Sequence, residues 1–203
     1  MVKDAKTAML VLAAGKSSRM GQPKQLLPWK NSTLLGHTIT EGKASGINHI
    51  YVVLGASQDK IRQELTDKSL KIIYNPDWEL GMGSSIATGI REISKSSLAY
   101  EQVLIALCDQ PLIDAVFYRK LLQTAIDSTK PAVVTCYGNS PGVPAVFKSS
   151  LFQSLEQLKG KTGAKALLKS LGEKAICLKA KTLTADIDTP ETYKKLVADI
   201  SKK

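Results

Sequence analysis

The stretch from Met9 to Leu27 reads M-L-V-L-A-A-G-K-S-S-R-M-G-Q-P-K-Q-L-L, and it decides the fold. The stretch begins as a short apolar run, residues 8–14. A run this brief with a glycine after it is typical of a buried strand. The following loop is rich in glycines, hydroxyls and cations: Gly15, Lys16, Ser17, Ser18, Arg19, Gly21 and Lys24. Glycines allow a close approach of the backbone to a ligand, and free N–H groups and cations bind phosphate oxygens. The stretch therefore indicates a phosphate site for a nucleotide.

The loop composition alone leaves a second interpretation open, which is an ordinary strand-to-helix turn with solvated cations. Two named phosphate motifs are excluded. A P-loop requires glycine five residues before a Gly-Lys-Ser or Gly-Lys-Thr triplet, and Leu10 and Leu155 occupy those positions. The dinucleotide fingerprint is absent too, because its nearest match has Ile86 where the last glycine belongs. The predicted phosphate loop is thus of another kind.

Size and composition limit the class of protein. The 203 residues, 43% of them hydrophobic and 23% charged, predict one globular domain over residues 1–203. The net charge of +10 suits phosphorylated small molecules, nucleic acid or an anionic membrane. Because only 5% of the residues are aromatic and none interleave with a basic run, we expect no nucleic acid partner. We expect no membrane partner either, since no stretch approaches the ~18 apolar residues of a membrane span.

The number and spacing of the cysteines indicate the redox state of the compartment. Cys108, Cys136 and Cys177 are odd in number and widely spaced, so their spacing predicts neither a metal site nor a redox pair. A reducing compartment and a cytoplasmic location are therefore expected.

Strands alternate with helices along the chain, which predicts an α/β fold with a mostly parallel sheet. The predicted strands are residues 8–14, 49–54, 70–74, 102–107, 132–136, 143–147 and 175–178. The predicted helices are residues 34–45, one starting at Ser57, 86–93, 114–126, 149–159, one after a possible cap at Thr162, and one from Thr189-Pro190 to about Ile200. A short turn over residues 137–142 predicts one reversed strand, in a hairpin or at a mixed edge of the sheet.

Three carboxylates stand where predicted strands end: Asp109, Asp186 and Asp188. Ligands of open α/β sheets bind at that edge, and Mg²⁺ is commonly held by one or two carboxylates together with substrate phosphates. Asp186 and Asp188 point to opposite sides of an extended segment, so we expect only one of them to be a ligand. The alternative is that Asp109 is a turn residue and that the late pair favours the start of the last helix.

Five segments, in order, resemble nucleotidyltransferases that activate a phosphorylated substrate with a nucleoside triphosphate. They are L-A-A-G-K-S-S-R-M-G-Q-P-K-Q-L-L from Leu12, G-M-G-S-S-I from Gly81, C-D-Q-P from Cys108, G-V-P from Gly142, and D-I-D-T-P-E from Asp186. Within that group the chain is most similar to the molybdenum cofactor cytidylyltransferases of the MobA-like NTP transferase family. The resemblance implies a Rossmann-like three-layer α/β/α fold of the nucleotide-diphospho-sugar transferase type.

The resemblance also implies functional residues. The nucleotide-binding set is Leu12, Ala13, Ala14, Gly15, Ser17, Arg19, Lys24, Gly83, Ser84, Ser85 and Asp109. Within it, Arg19, Lys24 and Asp109 are the expected catalytic residues, and Asp109 with Asp188 is expected to hold Mg²⁺.

The implied reaction transfers CMP from CTP to the phosphate of a molybdopterin-type substrate, and the implied partner that receives the product is a molybdoenzyme of the hydroxylase type. GTP, a sugar or alcohol phosphate, or a chaperone that binds the cofactor without turnover are the alternatives. Three residues depart from the family pattern near the second substrate: Lys161 replaces an acidic residue, Lys165 an arginine, and Val143 a common histidine. Since lysine does not reproduce the arginine fork, the acceptor is left open.

Overall fold

A computed structural model describes residues 6–138, 140–161, 163–180 and 185–200, and the fold given below is that of these residues. The strands are β1 (Thr7–Ala13), β2 (Pro28–Trp29), β3 (Ser32–Thr33), β4 (His49–Leu54), β5 (Lys71–Tyr74), β6 (Gln102–Leu107), β7 (Ala132–Tyr137), β8 (Ser140–Lys148) and β9 (Ala175–Lys179). The helices are α1 (Leu34–Ala44), α2 (Gln58–Glu64), α3 (Met82–Ser94), α4 (Ala115–Asp127), α5 (Phe152–Glu156), α6 (Lys165–Leu171) and α7 (Pro190–Ile200).

Seven of the strands form one sheet in the order β5-β4-β1-β6-β8-β7-β9, and β2 and β3 form a separate ribbon. Strand β8 is antiparallel to both of its neighbours, whereas the remaining pairs of the sheet are parallel. The prediction of one reversed strand is therefore confirmed. That strand lies inside the sheet, because the β7–β8 hairpin folds back and inserts β8 beside β6.

Strand β1 lies at the centre of the fold and is buried on both faces, as a strand of a parallel sheet must be. Its side chains alternate between two apolar cores. Leu10 and Leu12 pack with residues of α3, α5 and α6, while Met9 and Val11 pack with residues of α1, α2 and α4. This arrangement of helix, sheet and helix confirms the predicted three-layer α/β/α fold.

Three helices begin at residues whose side chains cap the first turn. Thr33 caps α1 by accepting a hydrogen bond of 3.0 Å from the Gly36 N–H, and Asp114 caps α4 through a 2.8 Å bond from the Phe117 N–H. At α7 the Thr189 hydroxyl accepts from the Thr192 N–H at 3.3 Å, and Pro190 takes the first helical position as predicted.

Two predicted helices differ in their bounds. Helix α3 starts at Met82 and not at Ile86, because Gly81 supplies the break with a φ of 109°. The segment 149–159 predicts one amphipathic helix, but it contains a 3-10 turn at Ser149–Leu151 and then the short α5. The possible helix cap at Thr162 lies outside the described residues.

The expectation that the cysteines form no pair is wrong for two of them. Cys136 on β7 and Cys177 on β9 are joined by a disulfide, with their Cα atoms 5.7 Å apart. Widely spaced cysteines meet here because β9 pairs directly with β7. Cys108 is a buried free thiol, and burial raises its pKa far above the ordinary value.

None of the helices in the described part of the chain is long and apolar enough to cross a membrane.

Candidate active site

The loop that follows β1 turns sharply at two positions with left-handed backbone. Ser17 has a φ of 56° and Gly21 a φ of 67°, and a single 3-10 turn over Ser18–Met20 separates them. The Ser17 carbonyl accepts a 2.8 Å hydrogen bond from the Met20 N–H. The Ser17 hydroxyl accepts from the Lys24 N–H at 3.1 Å, so the two ends of the loop are tied together.

Gln25 fixes this loop through hydrogen bonds from its buried side chain, a role that the sequence analysis did not predict. Its side-chain amide donates to the Ala13 carbonyl at 2.8 Å and to the Gly15 carbonyl at 2.9 Å. Its amide oxygen accepts from the Ser17 hydroxyl at 3.4 Å. The residue is buried, with 1% of its surface exposed. The sequence carries no signal for this role, because two of its partners are backbone carbonyls, although a buried amide must find such partners.

Replacing Gln25 by Met is expected to lower the free energy of unfolding by about 1–3 kcal/mol, because two carbonyls would lose their donor while the side-chain volume stays similar. Chemical denaturation measures this loss. Gln63→Met, on the exposed face of α2, is the matched control. Equal losses in the two variants would contradict the role given to Gln25.

Gly15 faces open space. A Cβ atom built on Gly15 meets no heavy atom within 4 Å, and its backbone is not in the left-handed region. Within the described residues, the N–H groups of Gly15, Lys16 and Ser17 donate to no protein acceptor. Neither the fold nor the packing therefore requires glycine here, whereas a ligand lying against the loop does.

Two of the three predicted carboxylates, Asp109 and Asp188, converge on one cation, the ammonium group of Lys24. Asp109 follows β6 as predicted, but the prediction that Asp186 and Asp188 end a strand is wrong, because residues 185–188 form an irregular segment before α7. The Lys24 ammonium group donates to Asp109 in a direct hydrogen bond and to Asp188 Oδ1 at 2.9 Å. Arg19 donates to the other oxygen of Asp188 at 3.0 Å. The side chains of Lys24 and Asp109 are each 14% exposed, while Arg19 is 68% exposed. Residues far apart in sequence thus form one charged cluster at the carboxyl ends of β1 and β6.

The charge states of this cluster follow from its contacts. Burial lowers the pKa of Lys24, but the charges and hydrogen bonds of Asp109 and Asp188 outweigh it and hold the pKa above the ordinary value. Burial raises the pKa of Asp188, and Lys24 and Arg19 together reverse that shift and keep the pKa low. The lysine is therefore protonated and Asp188 ionised at neutral pH.

Asp186 belongs to a different set of contacts. It accepts a 2.9 Å hydrogen bond from the Gln110 amide, which also donates to the Tyr137 hydroxyl at 3.0 Å. Burial raises the pKa of Asp186, against the hydrogen bond from Gln110. The two late aspartates thus make separate contacts, as the extended segment predicts, and Asp188 is the one that joins Lys24.

A cleft of about 340 Å³ opens beside this cluster. Of the residues that the sequence singles out, it is lined by Leu12, Ala13, Ala14, Gly15, Lys24, Ser85, Asp109 and Lys161. Trp78, Glu79, Gly81, Met82, Leu107 and Cys108 complete much of its wall. The cleft lies at the carboxyl ends of the strands, where open α/β sheets bind ligands. A larger cavity, about 860 Å³, lies at the amino ends of β1, β4 and β6, and no residue predicted for the nucleotide lines it.

Gly83 and Ser84 lie at the start of α3 but outside the cleft lining. The Ser84 hydroxyl is 2.9 Å and that of Ser85 is 3.0 Å from the amide nitrogen of the buried Asn75. Gly83 packs on the segment before α6, where its N–H donates to the Gly160 carbonyl at 3.0 Å. A Cβ at Gly83 would lie 2.7 Å from the Lys159 carbonyl oxygen, so packing within the protein already requires glycine at this position.

The sequence and the fold agree with known proteins. The family model of the MobA-like NTP transferase domain matches residues 9–175. The purine catabolism protein PucB of Bacillus subtilis is 32% identical over 193 residues, which cover 90% of this chain and 91% of PucB. The molybdenum cofactor cytidylyltransferase of Escherichia coli is 27% identical over 187 residues, with 91% and 92% covered.

Among solved structures, Rv0371c of Mycobacterium tuberculosis superposes with a TM-score of 0.82 at 24% identity, covering 96% of this chain and 98% of that one. A complex of Rv0371c with manganese gives a TM-score of 0.74 at 22% identity, with 96% and 99% covered. The similarity to these two structures shows that this protein shares their fold.

Proposed function

Because the chain belongs to the MobA-like NTP transferase family, and is therefore a nucleotidyltransferase, we propose that it transfers CMP from CTP to the phosphate of a molybdopterin-type substrate. The observation that carries the proposal is the cluster of Lys24, Arg19, Asp109 and Asp188 beside a glycine-lined cleft. The similarity to the cytidylyltransferase of E. coli supports CTP and the molybdopterin acceptor.

In this proposal the triphosphate lies on the loop from Gly15 to Gly21. The N–H groups of Gly15, Lys16 and Ser17 would bind its oxygens, and Leu12, Ala13 and Ala14 would form the floor under the nucleotide. Ser85 would contact the nucleotide from α3. Gly83 and Ser84, which face the protein, would hold α3 in place for it.

Gly15→Ala is expected to raise the KM for the triphosphate at least about tenfold, or ~1.4 kcal/mol, because the new methyl group would occupy ligand space. The free energy of unfolding should stay within about 0.5 kcal/mol of the wild type, since the methyl group meets no protein atom within 4 Å. Steady-state kinetics and chemical denaturation measure the two effects, and Gly15→Ser should raise KM further. A stability loss without a change in KM would contradict the assignment.

Asp109 and Asp188 fit a divalent cation. Both offer oxygen to one positive group, and Asp109 Oδ1 is buried without a hydrogen-bond partner among the described residues. No group of three or more His, Cys, Asp or Glu side chains in the described ranges could hold a metal by itself. This suits Mg²⁺, which is commonly held by one or two carboxylates plus substrate phosphates. When bound, it would neutralise phosphate charge and polarise the phosphoryl group. The manganese complex of Rv0371c supports a divalent cation.

The residues of the chain then position the reactants. An anionic phosphate oxygen of the acceptor attacks the α-phosphorus in line, and the bond from that phosphorus to the leaving pyrophosphate breaks. Because the nucleophile is already ionised, no residue needs to remove a proton. Arg19 and Lys24 would stabilise the negative charge on the transferring and leaving groups.

The acceptor is the least constrained part of the proposal. Lys161 lines the cleft, and Lys165 begins α6. The Val143 carbonyl accepts from the Tyr137 hydroxyl. Lys161 adds positive charge where the family has an acid, which favours an acceptor with more negative charge, and Lys165 keeps the charge of the family's arginine without its planar fork. Another phosphorylated acceptor, such as a sugar or alcohol phosphate, is therefore the second candidate.

Pyrophosphate release tests the proposal. We expect release with CTP and molybdopterin cofactor, and little with GTP, ATP or UTP. Release only with another triphosphate or acceptor would overturn the specificity, and tight cofactor binding without release would indicate the chaperone function. Delivery to a molybdoenzyme of the hydroxylase type and a cytoplasmic location complete the proposal. The redox state of Cys136 and Cys177 in cells tests the compartment, because structural disulfides are rare in the cytosol.

A further inference from the structure

The ammonium group of Lys24 lies where the proposed function requires a divalent cation. It contacts Asp109 Oδ2 directly and Asp188 Oδ1 at 2.9 Å. Lys24 is 14% exposed, so this contact is sheltered from water and salt. A divalent ion on the same two oxygens would lie within a few ångströms of the ammonium group. Because like charges repel strongly at that distance, one of the two cations must leave.

In the proposed function, the phosphates of the bound nucleotide would offer the Lys24 side chain a second set of partners. The backbone N–H of Lys24 is bound to the Ser17 hydroxyl at 3.1 Å, and its carbonyl accepts from the Leu27 N–H at 3.1 Å. The Lys24 backbone is therefore fixed at the end of the phosphate loop. Since the backbone is held, a rotation of the side chain would be enough to carry the ammonium group from the carboxylates to phosphates bound on that loop.

The free protein also needs a cation between the two carboxylates. Asp109 is 14% exposed, and without Lys24 the one remaining cation paired with these carboxylates in the described ranges would be the outer Arg19, on Asp188. Two ionised carboxylates that share a site destabilise each other. Lys24 offsets one of the two negative charges, and Arg19 pairs with Asp188 from outside, as long as no metal is bound.

We propose, on the basis of the function given above, that Lys24 is a place-holding cation for the metal. In the free protein it occupies the metal position, and the triphosphate draws it onto phosphate oxygens, which releases Asp109 and Asp188. The metal then binds together with the nucleotide and only weakly before it. Nucleotide and metal thus favour each other's binding, and the coupling is reciprocal.

Mn²⁺ binding measured by electron paramagnetic resonance, without substrate turnover, tests this proposal. Without nucleotide, Lys24→Met should bind Mn²⁺ at least tenfold more tightly than the wild type, although it removes a residue of the active site. Lys24→Arg keeps the charge and should bind as weakly as the wild type. Lys60→Met removes an exposed cation of α2, outside the cleft, and should leave Mn²⁺ binding unchanged.

A non-hydrolysable CTP analogue completes the test. It should tighten Mn²⁺ binding at least tenfold in the wild type and much less in Lys24→Met. Equal Mn²⁺ affinity of the wild type and Lys24→Met without nucleotide would overturn the place-holder while leaving the metal site intact. Absence of Mn²⁺ binding with the analogue, in the wild type as in Asp109→Asn, would instead overturn the metal site of the proposed function. Thermal denaturation with and without Mn²⁺ reports whether Lys24→Met is folded, and Lys24→Gln replaces it if it is not.

Discussion

Asp109→Asn is expected to lower kcat/KM for nucleotidyl transfer about 10²–10⁴-fold, or ~3–5 kcal/mol, which is the scale on which a metal ligand contributes to phosphoryl chemistry. The substitution keeps the size of the side chain and removes one negative charge at a position that is 14% exposed. It takes away the carboxylate that Lys24 contacts in the free protein and that would hold Mg²⁺ during transfer. Steady-state kinetics with saturating metal measures the loss.

Asp186→Asn is the matched control for this variant. The residue type and the charge change are the same, but Asp186 accepts from Gln110 and makes no contact with Lys24. We expect a loss of less than about tenfold for Asp186→Asn. Comparable losses in both variants would mean that Asp109 and Asp186 act as a unit, and unchanged turnover of Asp109→Asn would remove Asp109 from the mechanism.

Arg19→Ala is expected to cost roughly 2.7–4 kcal/mol of transition-state stabilisation, the range found when one donor to a developing negative charge is removed. Among the described residues Arg19 is held by Asp188 alone, at 3.0 Å, and its side chain is 68% exposed. An exposed ion pair of this kind contributes little to stability, so the free energy of unfolding should change by less than about 1 kcal/mol. The effect should therefore appear in kcat and not in folding.

Arg62→Ala serves as the control for Arg19. Arg62 is an exposed arginine of α2, and its removal changes the net charge by the same amount. If both variants lose activity equally, the effect is one of overall charge and Arg19 is a solvated cation. Arg19→Lys should recover only part of the activity, since lysine lacks the planar fork that binds two phosphate oxygens.

The fold was largely predictable because its elements carry local signals. The apolar run at residues 8–14 became β1, and the Thr189-Pro190 pair began α7. Helix α3 was misjudged by one turn because Gly83 and the two serines after it are poor helix formers, and contacts with Asn75 and Gly160 override that preference. The Cys136–Cys177 pair could not be predicted, since it depends on the sheet order that brings β9 beside β7.

The site was predictable in its residue types but not in its contacts. The end of a strand correctly indicated Asp109, whereas Asp186 and Asp188 lie in an irregular segment and Asp188 was singled out by the resemblance. The glycine loop indicated the cation-rich side of the cleft. That Lys24 would lie between the two carboxylates could not be foreseen, because it depends on the turn that carries Lys24 back over β1. Gln25 was missed for a related reason: its partners are backbone carbonyls, which no side-chain pattern reveals.

The segment of residues 81–85 packs closely on the segment of residues 160–165, and this packing affects how substrate preference could be redesigned. A Cβ at Gly81 would lie 2.6 Å from the Lys161 Cα, so the start of α3, proposed to contact the nucleotide, packs directly on the segment at Lys161, which the resemblance ties to the acceptor. Grafting a relative's residues 160–165 alone would shift the residues next to the base as well. Acceptor and nucleotide preferences in this protein should therefore be exchanged together, by transplanting residues 81–85 and 160–165 as a pair.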